Sequence, residues 1–400
     1  MSILVKNIFL NNKKRDVYID DNSFTEISEN ISVEAEFKID AKNKAILPSF
    51  FNSHTHAAMS LLKGFADDFS LNDWLAKVWP VEQKFKEKGV YVGTKLAVLE
   101  MIKSGTTFFN DMYWFPEQVA KAAEELGVRA CVASAFVDGM PFPRLPKDSE
   151  LVKFAYGPHA IYTVSKENLL KFKDLVEEDG RLIHIHLSET RKEVDDSLKN
   201  FNLRPVEYLD SFNFLDKNVI AAHGVWFDDN EINILTRTKP TIVYNPVSNA
   251  KLASGVLRFR DLVKSGVRVL LGTDGNASNN NLDMFEEMKF AALLQKVCNL
   301  SPCLLPASQV YSMATQKAAE FFGVNAGRIE EGRLADFILV DLKNINLFPC
   351  YDLISNVVYS ARGDCVTHTV CNGRILMSDR KVDGEEKILE EVREFIEKIF

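Results

Sequence analysis

The sequence lacks several patterns that mark common classes of protein. Its 6 cysteines in 400 residues form no C-x-x-C pair, which argues against a disulfide framework and favours reduced thiols. No apolar run reaches the roughly 18 residues of a membrane span, and no long apolar stretch follows a basic N-terminus as in a signal peptide. These absences predict a cytoplasmic protein without a membrane partner.

An excess of positive charge is also missing. The chain has 48 Lys and Arg against 56 Asp and Glu, and this net charge of −8 argues against a nucleic-acid or anionic-membrane surface. With 46% hydrophobic and 26% charged residues, the composition is that of a globular protein with a large core. This composition and length predict one large domain with a smaller unit beside it. They are also compatible with a homo-oligomer.

Strand and helix patterns divide the chain into three parts. Residues 1–44 hold short strands between polar clusters and predict the first part of a small β domain. Residues 45–325 alternate short β-rich runs with helix-length segments, one of them over 81–103. Residues 326–400 return to short strands, with Asn372-Gly373 as a hairpin turn, and end in a helix over 385–400. The central strands are predicted to end near His56 and to span 106–111, 130–137, 154–157, 181–187, 219–222, 241–244 and 267–271.

Eight consecutive strand–helix units are typical of an α/β protein with a parallel (β/α)8 TIM-type barrel. The two terminal parts are expected to form one small β-sandwich domain beside it. The alternative is an open doubly wound sheet, whose phosphate-binding form would show G-x-G-x-x-G after the first strand. That motif is absent there, so the sequence favours the barrel.

Two histidines at the end of the first barrel strand form the most informative short motif. His54 and His56 point to the same side of the strand, because side chains alternate along it. Two imidazoles on one side make half of a zinc site, although an ordinary polar strand end is the alternative. Further polar side chains fall at C-terminal strand ends, where barrel enzymes build their active sites: His159, His186, Glu189, His223 and Asp274.

These strand ends supply the ligands of a catalytic metal. Three imidazoles (His54, His56 and His186) and the carboxylate of Asp274 form a donor set suited to zinc, which lowers the pKa of bound water from about 15.7 to about 7. Glu189 lies three residues after His186 and is a candidate general acid or base.

Several of these residues have alternative interpretations. His184 shares the strand face of His186 and is the alternative ligand, otherwise a hydrogen-bonded residue deeper in the barrel. Asp274 is alternatively a turn former, and His159 is alternatively structural. His223 is a candidate for a residue that does not bind the metal itself but holds the hydroxide or one of the metal ligands by a hydrogen bond. His368, the one histidine away from the barrel strands, is expected at the surface of the small domain.

Several longer motifs carry a family resemblance that His-x-His alone would not. They include LPSFFNSHTHAAMSLLKGFADD, GTTFFNDMY, YGPHAIYTVS, HIHLSET, AAHGVWF, NPVSNAKLASG and LGTDGNASNNNLDMFEEMKFAALLQK. Over nearly its full length the chain resembles the amidohydrolase superfamily. Within that superfamily it is most similar to the metal-dependent 5′-methylthioadenosine/S-adenosylhomocysteine deaminases.

The resemblance implies roles for named residues. It implies one divalent metal per chain, zinc or alternatively iron(II), held by His54, His56, His186 and Asp274. It also implies that Glu189 and His223 flank the attacked carbon, and that Glu82 and His159 face the ribose of a purine nucleoside. The implied reaction is hydroxide attack at C6 of an adenosine-type nucleoside. Glu189 moves a proton to N1 and Asp274 accepts the hydroxide proton. Ammonia then leaves, which gives the inosine product.

The sequence departs from this family in two places. Relatives that take a homocysteine-bearing substrate place arginines after the third barrel strand, whereas here Arg144 is the one arginine soon after that strand. Arg144 is therefore the candidate contact for a substrate carboxylate, and S-adenosylhomocysteine is less favoured than 5′-methylthioadenosine or 5′-deoxyadenosine. Tyr244 also stands before Asn245-Pro246, where a histidine is common.

Other reactions and other roles are open on the same fold. They are guanine or aminofutalosine deamination, hydrolytic dechlorination of a triazine, and a scaffold without catalysis. The small zinc deaminases share the chemistry but carry H-x-E…P-C-x-x-C, which is absent here.

Overall fold

Two sheets organise the chain in a computed structural model that describes residues 1–11 and 13–399. Asn12 and Phe400 lie outside the described residues, although they fall within the predicted N-terminal β segment and the predicted C-terminal helix. The first five strands are β1 (Ser2–Leu10), β2 (Lys13–Asp20), β3 (Ser23–Ser28), β4 (Phe37–Asp40) and β5 (Lys44–Pro48). The next eight are β6 (Phe50–Thr55), β7 (Thr106–Tyr113), β8 (Arg129–Phe136), β9 (Val152–Pro158), β10 (Ile183–Leu187), β11 (Val219–His223), β12 (Thr241–Tyr244) and β13 (Arg268–Leu271). The last three are β14 (Phe337–Asp341), β15 (Val366–Cys371) and β16 (Arg374–Met377).

Strands β6 to β13 form a parallel barrel in sequence order, which confirms the predicted fold class. The barrel is drawn closed where the backbone N–H of Asp274, just after β13, donates to the carbonyl of His54 in β6 at 3.0 Å. Gly272 permits this approach, since a Cβ there would lie 2.6 Å from the backbone nitrogen of His54. The closure brings the first and last strand ends of the predicted site together.

Apolar side chains fill the lower part of the barrel. Ile220, Val243 and Leu270 sit in one buried cluster, while the residues flanking them along each strand join a different cluster, as the period of two requires. The stacked rings of Phe51 and Phe108, with centroids 4.8 Å apart, belong to the first cluster. This packing fills the barrel interior below the C-terminal strand ends, where the polar side chains of the predicted site lie.

Helices surround the barrel and close the chain. They are α1 (Leu71–Glu82), α2 (Lys86–Ser104), α3 (Pro116–Leu126), α4 (Lys166–Asp179), α5 (Arg191–Phe201), α6 (Pro205–Asp210), α7 (Asp229–Thr238), α8 (Pro246–Lys251), α9 (Phe259–Lys264), α10 (Asn276–Asn279), α11 (Met284–Cys298), α12 (Ala307–Met313), α13 (Gln316–Phe322), α14 (Leu353–Tyr359) and α15 (Glu385–Ile399). Two short 3-10 turns add Ala57–Leu62 and Gly363–Cys365. The helix predicted over 81–103 is confirmed from Lys86 onward as α2, but its predicted start is wrong: the chain turns after α1, and Lys86 has φ +50°. Within the described ranges, no helix is both long and apolar enough to span a bilayer.

The second sheet joins the two ends of the chain, as predicted. Its strand order is β16-β15-β14-β5-β1-β2-β3, and β4 pairs with β1. Strand β5 is antiparallel to β14, so this sheet continues through residue 48 rather than ending at the predicted division after residue 44. Asn372 and Gly373, both with positive φ, form the predicted hairpin turn between β15 and β16.

His368 in β15 is buried, so its predicted surface position is wrong. Its Nδ1 lies 3.0 Å from Thr367 Oγ1, and its Nε2 lies 3.8 Å from a carboxylate oxygen of Asp379. The neighbouring Thr369 hydroxyl donates to the carbonyl of Ile102 in α2 at 2.7 Å, so this strand packs against a barrel helix. No local sequence pattern indicates this contact, because the two segments are far apart along the chain.

A buried ion pair ties the barrel to the second sheet. Arg129 Nε at the start of β8 lies 2.8 Å from Asp336 Oδ2, just before β14. The other oxygen of Asp336 accepts from the backbone N–H of Asn372 at 2.6 Å, and Arg129 Nη2 donates to the Asn372 side chain at 2.6 Å. Both charged side chains are nearly inaccessible to solvent.

Asp336→Ala is therefore expected to lower the free energy of unfolding by about 3–5 kcal/mol, because it leaves the Arg129 charge buried and unpaired. Urea denaturation followed by circular dichroism measures the change. Glu29→Ala is the matched control: its partner Arg15 lies 3.0 Å away, but the Glu29 side chain is 85% exposed, so little change is expected. Equal destabilisation by the two variants would contradict the buried pair's role.

Candidate active site and metal centre

The predicted polar residues converge at the C-terminal end of the barrel. His54 is in β6, His186 is in β10 and His223 ends β11. His56 directly follows β6, and Asp274 lies three residues after the end of β13. Parallel strands bring these ends to one face, and each of the three strand residues is buried.

Four ligand atoms face one another at the centre of this face. His56 Nε2 lies 3.2 Å from His186 Nε2 and 3.2 Å from Asp274 Oδ1. His54 Nε2 lies 3.3 Å from the same carboxylate oxygen and, although buried, makes no hydrogen bond of its own with the described residues. Three imidazole nitrogens and one carboxylate oxygen are a donor set that fits zinc or a similar divalent ion.

The other ring nitrogens fix the protonation of these histidines. His56 Nδ1 lies 2.7 Å from the carbonyl oxygen of Met112, and His186 Nδ1 lies 2.9 Å from that of His159. A carbonyl only accepts, so each Nδ1 carries a proton and each Nε2 of the neutral ring presents a lone pair. Two lone pairs 3.2 Å apart repel each other unless a proton or a metal ion lies between them. The hydrogen bonds thus prepare both rings as metal ligands.

Asp274 makes the centre favourable for positive charge. Burial opposes charge on the His56 ring, but the hydrogen bond and negative charge of Asp274 raise the pKa of His56 to about 9. Burial alone would raise the pKa of Asp274, yet His54 and His56 hold it well below its usual range. Its second oxygen accepts from the hydroxyls of Ser248 at 2.6 Å and Ser278 at 2.7 Å, which orients Oδ1 toward the rings.

His184 lies beside His54, below the centre. Its Nε2 is 2.8 Å from His54 Nδ1, and its ring is completely buried. Because this nitrogen is engaged by His54, the geometry favours His186 over His184 as the strand β10 ligand. His184 instead matches the predicted hydrogen-bonded residue deeper in the barrel, and it orients His54.

His223 differs from the other rings in its hydrogen-bond partner. The side-chain nitrogen of Asn249 lies 2.9 Å from His223 Nδ1. An amide NH2 group only donates, so Nδ1 is the acceptor and the proton of the neutral ring lies on Nε2. That Nε2 is 3.7 Å from a carboxylate oxygen of Glu189. His223 therefore faces the centre as a hydrogen-bond donor, although its position also allows a metal contact.

Asn249→Leu keeps the branching of the side chain but removes this donor, so the proton of His223 is no longer confined to Nε2. We expect turnover to fall about 10- to 100-fold while the metal content is unchanged, as for other residues that orient active-site groups. Steady-state kinetics and metal analysis of the same preparation measure both quantities. Asn168→Leu, on the surface of α4, is the control. Unchanged turnover in Asn249→Leu would show that the tautomer does not matter.

Glu189 is a buried carboxyl group beside the centre. Burial and the negative charge of Asp274 raise its pKa well above the usual range, so it holds a proton readily. Glu193 anchors the loop that carries it, because the two oxygens of Glu193 accept from the backbone N–H groups of Ser188 and Glu189, each at 2.8 Å. Sequence reasoning missed Glu193. The Thr190-x-x-Glu193 capping signature at the start of α5 was the available signal.

An aromatic-rich cavity of about 60 Å³ opens above the centre. Its walls include Glu82 and His159, which were predicted, and Trp79 and Tyr113, which were missed. Tyr113 donates a short hydrogen bond to Glu82, and burial raises the pKa of Glu82 to about 7. Burial lowers the pKa of His159 to about 3, which keeps that ring neutral.

Arg144, unlike the other predicted substrate-binding residues, does not reach this cavity. It is exposed, in a segment without regular structure between β8 and β9, and it does not line the cavity walls. Its proposed contact with a substrate carboxylate stays a prediction.

Comparison with known proteins places the chain among hydrolases of this architecture. Residues 45–376 match the sequence profile of the amidohydrolase family. A 5-methylthioadenosine/S-adenosylhomocysteine deaminase from Thermococcus sibiricus is 47% identical over 399 residues, 94% of each chain. A 5′-deoxyadenosine deaminase from Methanosphaera stadtmanae is 43% identical, over 95% of this chain and 94% of that protein. A zinc-bound adenosine deaminase from Xanthomonas campestris superimposes with a TM-score of 0.92 at 29% identity, covering 100% of this chain and 98% of the other.

Proposed function

The chain belongs to the amidohydrolase family, and we propose that it is a hydrolytic deaminase of adenosine-type nucleosides. Water replaces the 6-amino group: a C–O bond forms at C6, the C6–N6 bond breaks, and the products are the inosine analogue and ammonia. The full-length identity of 47% and 43% to two deaminases of such nucleosides is the observation that carries this proposal.

We propose that His54, His56, His186 and Asp274 hold one divalent ion per chain, with zinc as the first candidate and iron(II) as the alternative. The facing lone pairs of His56 and His186 support this assignment, as does the zinc bound by the Xanthomonas campestris structure. A divalent ion in such a set makes hydroxide available at neutral pH by lowering the pKa of water.

We propose that Glu189, His223 and Asp274 carry out the proton transfers and position the reacting oxygen. Glu189, whose raised pKa makes it a proton carrier, moves one proton of the attacking water to N1 of the purine, and it then passes the second water proton, which Asp274 accepts, to the leaving nitrogen. The Nε2–H group of His223 donates a hydrogen bond to the oxygen that attacks C6. Asp274 accepts the proton of that oxygen, and its hydrogen bonds from Ser248 and Ser278 keep it oriented for this.

We propose that Glu82 and His159 bind the ribose. Both line the cavity, and together they offer a carboxyl group and a neutral imidazole, which match the donors and acceptors of sugar hydroxyls. The Trp79 ring stands edge-on to His159, with centroids 6.1 Å apart, and adds an apolar wall beside the sugar position.

A substrate panel on the metal-loaded protein tests the function. Adenosine, 5′-deoxyadenosine, 5′-methylthioadenosine, S-adenosylhomocysteine, guanine, aminofutalosine and a chlorotriazine are compared by kcat/KM for release of ammonia or chloride. We expect ammonia from the adenosine-type nucleosides, with a small or apolar 5′ group preferred over the homocysteine tail. Turnover of guanine, aminofutalosine or the triazine alone would overturn the assignment, and no turnover with any compound would favour a scaffold.

A further inference from the structure

A second concave surface opens from the side of the catalytic cavity. We call it the side groove and define it by the residues that line it: Trp79, Glu82, Gln83, Lys86, Val90, Trp114, Phe115, Val137 and Met140. Trp79, Glu82 and Trp114 also line the catalytic cavity, so the two spaces share a wall. The side groove measures about 520 Å³ against about 60 Å³ for the cavity.

These sizes indicate how a nucleoside lies in the site. The catalytic cavity is the smaller of the two spaces, so the reacting edge of the base lies inside it and the rest of the substrate extends toward its opening. The remainder extends past Glu82, the residue proposed to bind the ribose, and Glu82 borders the side groove. The atoms beyond the ribose are those of the 5′ substituent.

The wall of the side groove suits an apolar substituent. Trp79, Phe115 and Met140 line it while being 36%, 39% and 38% exposed. Large apolar side chains exposed together on a concave surface are typical of a ligand contact, and aromatic and thioether groups pack well against sulfur and methyl groups. The Thermococcus and Methanosphaera relatives are named for compounds that share the adenosine core and differ at the 5′ position.

Lys86 is the cation of the side groove. Its side chain is exposed, and no ion pair with it is found in the described part of the chain. A positive charge in the first turn of a helix is unfavourable, so Lys86 does not stabilise the start of α2. Its left-handed backbone, at φ +50°, is also uncommon for a residue with a side chain. Arg144, by contrast, lines neither the groove nor the cavity.

We propose that the side groove receives the 5′ substituent of the nucleoside and that Lys86 is the specificity residue for a carboxylate on that substituent. This inference rests on the proposed deaminase function and refines it. It replaces Arg144 with Lys86 as the partner of a homocysteine tail, and it assigns the apolar wall to a methylthio or methyl group.

The test is the ratio of kcat/KM for S-adenosylhomocysteine to that for 5′-methylthioadenosine, measured on the metal-loaded full chain. Lys86→Met is expected to lower this ratio about tenfold, the effect of losing one charge-assisted hydrogen bond at a partly solvated site. Lys86→Arg should retain most of the ratio, and added salt should lower it in the wild type but not in Lys86→Met. Lys84→Met, an exposed neighbour outside the groove, is the matched control and should leave the ratio unchanged.

A competition measurement tests the same contact even if S-adenosylhomocysteine is not turned over. In it, S-adenosylhomocysteine inhibits the deamination of 5′-methylthioadenosine, and its inhibition constant is compared between the variants. An unchanged ratio and inhibition constant in Lys86→Met would overturn the inference, as would an equal loss on both substrates. A selective loss in Arg144→Met instead would return the role to Arg144. If the wild type deaminates no adenosine-type nucleoside at all, the proposed function fails, and this outcome is distinct from all the others.

Discussion

His186→Ala is expected to lose bound metal and turnover together. The substitution removes one of four donor atoms and leaves the lone pair of His56 Nε2 without its neighbour at 3.2 Å. Without the ion, water returns to a pKa of about 15.7 from about 7, so we expect a loss of at least about a thousandfold in kcat/KM. Metal content per chain, measured by mass spectrometry on protein dialysed against a zinc buffer, is the readout besides activity.

His368→Ala is the matched control for this experiment. It removes a buried histidine from the second sheet, so metal content and turnover per folded molecule should both stay near the wild-type values. Stoichiometric metal in His186→Ala would contradict the ligand assignment. His184 would then become the better candidate, and His184→Ala would be the next variant to analyse.

Glu189→Gln is expected to keep the metal but lose most of its turnover. The amide has the size of the carboxyl group but cannot carry a proton, and general acid–base catalysis typically contributes about 10²- to 10⁴-fold. Glu189 is not among the four converging donors, so the metal content should equal that of the wild type. Single-turnover measurements with 5′-methylthioadenosine separate the chemical step from product release.

Glu193→Gln provides the comparison that isolates the chemical role of Glu189. It sits on the same loop and loses one of two carboxylate oxygens that accept from the backbone at 2.8 Å, so it perturbs the loop without removing the proton carrier. We expect a much smaller loss of turnover than in Glu189→Gln. A near-wild-type rate in Glu189→Gln would remove Glu189 from the mechanism, and equal losses would show that loop position, not proton transfer, limits the rate.

The barrel was predictable because its sequence carries two independent signals. Each strand is a short apolar run, and polar residues such as His54, His186 and His223 come where such runs end. A parallel barrel is the arrangement that brings all of those ends to one face, so a prediction of strand ends is also a prediction of the site. The mutual distances of His54, His56, His186 and Asp274 are what that argument anticipates, although their roles remain proposals.

The parts that escaped prediction depend on contacts between distant segments. The tautomer of His223 is set by Asn249, which lies on another element, and nothing local in either segment reveals the pairing. The side groove arises where the turn at Lys86 faces Val137 and Met140 after β8, a juxtaposition that only packing creates. His368 looked exposed because strand alternation alone cannot tell whether a helix such as α2 covers a sheet.

The antiparallel pairing of β5 with β14 has a consequence for the order in which the protein is made. Strand β5 leaves the ribosome before any part of the barrel, whereas its partner emerges only after the last barrel strand. The N-terminal strands must therefore persist with an open edge during most of synthesis, the condition in which strand edges recruit other chains. Strand β6, which carries His54, follows β5 after a single residue. Strand β6 is the first part of the catalytic face to be synthesised, and its neighbour β5 gains its partner β14 only near the end of synthesis.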